Sequence, residues 1–335
     1  MGTAKPKRTW VEIDPNALRA NLCHASELAD GAEVMAVVKA DAYGHGFAET
    51  IKALDSEVSA FGVATLNEAL AVMSVAEKTP NIMILGALLP DEREEAVSAG
   101  LHVTISSLLE AKKYNEIGQR TGSQIQAHLV LDTGMGRLGF TDKNFIPECA
   151  EISSSSNIAI EGIATHFPCS DLDLDFTNNQ IEKFSKIIQE SKLNARWIHL
   201  SNSAGVINFG NAGGNMIRPG LMLYGICPTN HSIHKLRPAM EWKTRITQVR
   251  ELPSGSGISY GQTFITKKNT SVATVAVGYG DGYPRSVSGN DAEVIIKEKR
   301  CSILGRVTMD MIMVDVSDLD PLPCPGDEVT LLGGQ

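Results

Sequence analysis

The chain has 335 residues, 43% of them hydrophobic and 21% charged, which provides for a large core and excludes a disordered or fibrous protein. Lys plus Arg number 30 against 39 Asp plus Glu, a net charge of −9; with no basic run beyond Lys5-Pro6-Lys7-Arg8, no nucleic-acid partner is expected. No apolar run is long enough to span a bilayer and residues 1–11 are charged where a secretory leader is apolar, so no membrane partner and a cytoplasmic location are expected.

Between residues 33 and 226, short apolar runs alternate with helix-like stretches: 33–40, 60–65, 82–87, 102–106, 125–132, 160–167, 197–201 and 216–226. Runs that are apolar throughout read as strands buried on both faces, hence as a parallel sheet. Residues 65–76 carry apolar side chains at helical period, and Asp91-Glu92-Arg93-Glu94-Glu95 places acids in the first turn of another helix, where the dipole favours them. Eight such units predict an α/β fold, a (β/α)8 TIM barrel, with a doubly wound sheet as the alternative that counting leaves open. Beyond residue 235 the texture changes to β-branched segments broken by Gly, Pro and Asp, at 244–251, 271–278, 292–296, 301–307, 311–316 and 328–332, which predicts a C-terminal mostly-β domain. The expected division is 1–234 and 235–335, with a first strand near 8–13 packing with the C-terminal domain.

Cys23, Cys149, Cys169, Cys227, Cys301 and Cys324 are scattered with no ligand spacing, so free thiols and no metal site are expected. A lone lysine, Lys39, ends the first apolar run in AVVKADAYGHG; at the C-terminal mouth of a barrel its amine would be a Schiff-base former, although a lysine also snorkels from strand ends. Gly134-Met135-Gly136-Arg137-Leu138-Gly139 matches a dinucleotide fingerprint formally. Pro147 is expected to interrupt any following helix and the next strand brings no acid for a ribose, so a tight loop aiming Arg137 inward is the better reading. The loops HLSNSAG and IRPGLMLYGI follow the last two barrel strands, where barrels commonly hold a phosphate; Ser203 and the amides of Gly220 and Leu221 could serve. In the second domain GISYG, VGYGDGYPR and GRVTMD stand out, the first two concentrating tyrosines in glycine-rich turns.

AVVKADAYGHG, DTGMGRLGF, GIATHF, HLSNSAG, IRPGLMLYGI, ISYGQTF, VGYGDGYPR and GRVTMD, in this order and spanning nearly the whole chain, resemble the alanine racemases, pyridoxal 5′-phosphate (PLP) enzymes built from a TIM barrel plus a β domain. The resemblance implies that Lys39 carries PLP and that Tyr260, supplied from the partner subunit of a homodimer with shared active sites, is the opposing base. PLP makes the substrate Cα planar, so racemisation needs one acid/base group on each face; Lys39 would serve the D-isomer and Tyr260 the L-isomer, supplying D-alanine for peptidoglycan. It further implies Arg218 at the pyridine nitrogen, His166 stacked on the ring, and Tyr43, Ser203, Gly220 and Leu221 on the phosphate. Arg137 and the Met309 amide would meet the substrate carboxylate, and Tyr279 would narrow the entrance.

Two departures stand out. Val130 occupies the place, seven residues before Arg137, where many family members carry a carbamylated lysine, and a valine cannot carry a carbamate. The sequence also ends at Gln335, ahead of a segment that contributes another tyrosine in the family. The alternatives are a broad-specificity amino-acid racemase with nearly the same catalytic set, and a non-catalytic PLP-binding protein, against which the β domain counts. A decarboxylase would want an acid where Arg218 stands.

Overall fold

The computed structural model describes residues 7–78, 81–229 and 235–334; Lys5 and Pro6 of the basic run, residue 234 of the expected domain boundary and Gln335 lie outside the described residues. Two units form, one from Asp14–Ala239 and one from the N-terminal residues through Ile13 together with Met240–Gln335.

In the first unit Glu33–Val37, Ala60–Val63, Asn81–Ile84, His102–Ile105, Ile125–Val130, Ile158–Ala164, Trp197–His199 and Met216–Ile217 form a closed parallel barrel. Closure comes from pairing of the first strand with the last, Glu33 with Met216 and Val34 with Ile217, and it excludes the doubly wound sheet and with it the dinucleotide reading. Met35, Ala60, Met83, Trp197 and Met216 fill the interior as one apolar cluster. Around it the helices start where short polar side chains cap them: Thr65, Ser107, Asp173 and Asn202 each accept an amide proton from three residues on.

Several boundaries depart from the sequence reading. The run 216–226 is a strand only at Met216–Ile217 and then a 3-10 turn at Leu221–Tyr224, because Pro219 has no amide for the ladder. Pro147 does not stop its helix, which runs Asp142–Ser153. The buried face of Phe145, Cys149 and Ile152 outweighs one lost backbone bond. The acidic run enters its helix late: Arg93–Ser98 keeps Glu94 and Glu95 in its first turn, while Asp91 and Glu92 precede it.

The second unit is a seven-stranded antiparallel sheet built on the long strand Met240–Leu252. That strand pairs with Thr9–Ile13, with Thr270–Val275 and with Glu328–Leu332, the last two ladders each broken by one register shift. Ile246, Val275, Val294, Ile296, Ile312 and Val314 are among the residues of its core. Among the described residues no helix is long and apolar enough to cross a membrane and no cluster suits a metal ion.

Candidate active site

A cavity of about 370 Å³ opens among the C-terminal ends of the barrel strands, and Lys39, Tyr43, Arg137, His166, Ser203, Arg218, Gly220 and Leu221 all line it. Lys39 stands two residues beyond its strand, at the head of the turn Lys39–Gly44. Ala40, Asp41, Ala42 and Tyr43 there have φ of 54, 53, 54 and 56°, four successive left-handed residues none of which is glycine, which costs roughly 1–2 kcal/mol per residue. Specific bonds hold it. Glu68 accepts the amide protons of Ala40 at 2.8 Å and Ala64 at 2.7 Å, Asp41 accepts that of Phe47, and the Tyr43 ring rests 5.1 Å from that of Tyr224. Burial and then the Arg137 guanidinium hold the half-buried Lys39 amine below the ordinary lysine range, which eases loss of its proton and so its use as a nucleophile.

Arg218 is buried at the cavity floor. Its Nη1 donates to the His199 carbonyl at 2.6 Å and to His199 Nδ1 at 2.7 Å, while Nη2 donates to the carbonyls of Thr165 and Leu200 and lies 3.3 Å from His166 Nδ1. The four terminal protons are therefore committed to the protein. Nε has no acceptor among the described residues, which leaves one N–H for whatever fills the cavity. Burial, then Arg137, pushes the Arg218 pKa down to about 10, and burial, then Arg218, pushes His166 down to about 3; the arginine stays charged and the histidine neutral near neutral pH.

The loop after the Ile125–Val130 strand is wound around Asp132, whose carboxylate accepts the amide protons of Gly134, Met135 and Gly136. Arg137 follows at the rim, and its guanidinium has no hydrogen bond or ion pair among the described residues; Val130 lines the same cavity. Ser203 Oγ accepts the amide protons of Gly220 at 2.9 Å and Met222 at 3.2 Å, so the Gly220 amide is already engaged, whereas those of Leu221 and Ala204 have no partner among the described residues. Gly220 is required: a Cβ there would lie 2.5 Å from the Tyr43 hydroxyl oxygen.

Tyr260, Tyr279 and Met309 lie in the other unit and do not line this cavity. They are 68%, 42% and 61% exposed, in turns tied to one another. Ser259 Oγ donates to the Arg306 carbonyl, and the amides of Tyr279 and Gly280 donate to the carbonyls of Thr308 and Met309. The Met309 amide has no partner among the described residues. The sequence alone assigned no role to Glu68 or to the imidazoles beneath Arg218. Glu68 is visible only as a capping-box acid after Thr65, and the histidines only as polar residues in apolar strands.

The alanine racemase N-terminal domain model matches residues 13–228 and the C-terminal domain model residues 239–335. An alanine racemase of Methylacidiphilum infernorum (isolate V4) is 40% identical over 98% of this chain and 84% of its own length. The solved alanine racemase of Clostridium difficile 630 superposes with a TM-score of 0.89 at 33% identity, over 99% of this chain and 88% of that one. That of Bartonella henselae, described with covalently bound pyridoxal phosphate, superposes at 0.87 with 27% identity, over 98% and 91%. With its barrel, its β domain and these matches across both, the chain belongs to the alanine racemase family of isomerases.

Proposed function

We propose that this protein interconverts L- and D-alanine with PLP as cofactor and two bases, Lys39 and Tyr260, and so supplies D-alanine for peptidoglycan. The observation that carries the reading is the shared cavity of a deprotonation-prone lysine and a buried arginine with one N–H to spare. The residues present fit the cofactor. Lys39 would hold it covalently, the Nε–H of Arg218 would meet its ring nitrogen, and His166 would lie against the ring. The hydroxyls of Tyr43 and Ser203, the unpartnered amide of Leu221 and the narrow place at Gly220 suit its phosphate.

When bound, PLP draws off the electron pair of the broken Cα–H bond and leaves that carbon open to protonation from either face. The chain's own groups decide which face is protonated. The Lys39 amine, set free when the substrate's amine takes its place on the cofactor and with its pKa lowered by burial and then Arg137, takes or returns the proton on one face. The exposed Tyr260 phenol acts on the other, reaching a Lys39 of a second copy, so the active unit is a homodimer with shared sites. Because Arg218 is a donor and not an acid, it would leave the ring nitrogen unprotonated, which would moderate electron withdrawal and disfavour side reactions such as transamination. Arg137 and the free Met309 amide meet the substrate carboxylate, Tyr279 narrows the entrance, and Arg137 acts without the carbamate that a lysine at position 130 would carry.

We assign Asp14–Ala239 to the PLP-binding part and Met240–Gln335, with the strand Thr9–Ile13, to the Tyr260-bearing part, five residues past the 234/235 division read from the sequence, and place the enzyme in the cytoplasm, in keeping with its six cysteines, all thiols. Proton NMR of L-alanine, L-serine, L-lysine and L-arginine in separate D2O incubations with PLP-loaded protein tests the reading. Loss of the α-proton signal fastest for alanine, with racemic product by optical rotation, is expected. Faster exchange of a basic amino acid would make it a broad-specificity racemase, and survival of every α-proton would make it a PLP-binding protein without catalysis.

A further inference from the structure

Three imidazoles run through the barrel interior below Arg218. His199 Nδ1 lies 2.7 Å from Arg218 Nη1, His199 Nε2 lies 2.8 Å from His128 Nδ1, and His128 Nε2 lies 3.1 Å from His102 Nδ1. All three are buried, and neither His128 nor His102 lines the cavity. His199 ends its strand, His128 sits within its own, and His102 opens its own, so the line descends from the cavity floor toward the N-terminal end of the barrel. Room has been left for it: a Cβ at Gly162 would collide with the His128 ring. The Trp197 ring stacks on that imidazole at 5.7 Å.

A guanidinium only donates, so His199 Nδ1 must be the acceptor of the Arg218 bond. A neutral imidazole with a bare Nδ1 carries its proton on Nε2, which then donates to His128 Nδ1. The same logic puts the His128 proton on Nε2, donating to His102 Nδ1, and leaves His102 with its proton on Nε2. Every tautomer is thus dictated from Arg218 outward. The dependence also runs in reverse. Were His128 to carry its proton on Nδ1, it would donate to His199 Nε2, the His199 proton would move to Nδ1, and two donors would face each other where the Arg218 bond now stands.

We propose that His128 and His102 are positioning residues for Arg218: their one-directional donor line keeps His199 Nδ1 bare and so holds the guanidinium with its Nε–H left for the cavity. The consequence for catalysis rests on the function proposed above; the tautomer line does not. The test is 15N–1H NMR of holoenzyme labelled with 15N-histidine, together with kinetics of His102→Phe, which removes the terminal acceptor, and His102→Gln, which restores one. In the wild type all three imidazoles should show a protonated Nε2 and a bare Nδ1; a protonated Nδ1 on any of them overturns the proposal. His102→Phe should bring a protonated Nδ1 signal to His199 and lower kcat about 10- to 100-fold with little change in KM, the scale of one hydrogen bond to a charged group. His102→Gln should recover both. A His102→Phe enzyme with wild-type kcat, or one that His102→Gln fails to mend, refutes the positioning role. Wild-type protein that shows the three tautomers yet racemises nothing refutes the proposed function and upholds the line.

Discussion

Acidification should strip this protein of folding free energy well before its carboxylates titrate. His102 is pushed down to about 4 by burial and then Arg196, and His166 to about 3 by burial and then Arg218. His128 and His199, completely enclosed, are held far below the ordinary histidine value by burial, then by His102 and Arg218 respectively. In the unfolded chain each imidazole binds a proton near pH 6.5; in the native protein it does not until the pH is much lower. The unfolded state therefore takes up protons first, and stability falls as the pH drops from about 6.5 toward those native values, while above that window both states are neutral and the contribution is flat. Between about pH 7 and about pH 5 His102 and His166 each cost roughly 2 kcal/mol, and His128 and His199 add to the loss in the same direction, against the roughly 5–15 kcal/mol that holds a typical domain. Urea unfolding at several pH values, followed by the fluorescence of the enclosed Trp197, measures it. His102→Gln should flatten the decline. An unfolding midpoint that stays constant from neutral pH to about pH 5.5 would show that these imidazoles are not buried in the neutral form, and the tautomer assignment would fall with it.

Lys39→Ala should abolish the visible absorbance of bound PLP, whereas Tyr260→Phe should keep the absorbance and lose racemisation; undiminished turnover in Tyr260→Phe would remove the two-base reading. Glu68→Ala frees the Ala40 amide in the left-handed turn and the Ala64 amide beyond the next strand and should lower unfolding free energy by about 2–3 kcal/mol, allowing for its partial exposure, as urea titration would register. Gly220→Ala drives a Cβ against Tyr43, so PLP affinity by absorbance titration should fall while the far-ultraviolet circular dichroism stays unchanged. Sedimentation of the active enzyme should give a dimer, since Tyr260 is proposed to act in a partner's site; an active monomer would contradict this.

Much of the molecule is legible in the sequence. Local chemistry decides the apolar runs, the caps at Thr65, Ser107, Asp173 and Asn202, and the change of texture after residue 235, and these depend on neighbours a few residues away. The fingerprint around Lys39, Arg137 and Arg218 is equally local, because each stands in a loop whose glycines and prolines restrict it. Closure of the barrel is a different matter: it turns on one pairing between Glu33 and Met216, which no periodicity encodes. The same holds at 216–226 and at Pro147, since packing of distant faces decides whether an apolar run stays extended or a proline is tolerated. The left-handed turn after Lys39 is invisible in AVVKADAYGHG, because its cost is met by Glu68 from another helix. Nor could spacing announce the imidazole line. His102, His128 and His199 are 26 and 71 residues apart, and only the inward alternation of three barrel strands brings their rings within hydrogen-bond reach beneath Arg218.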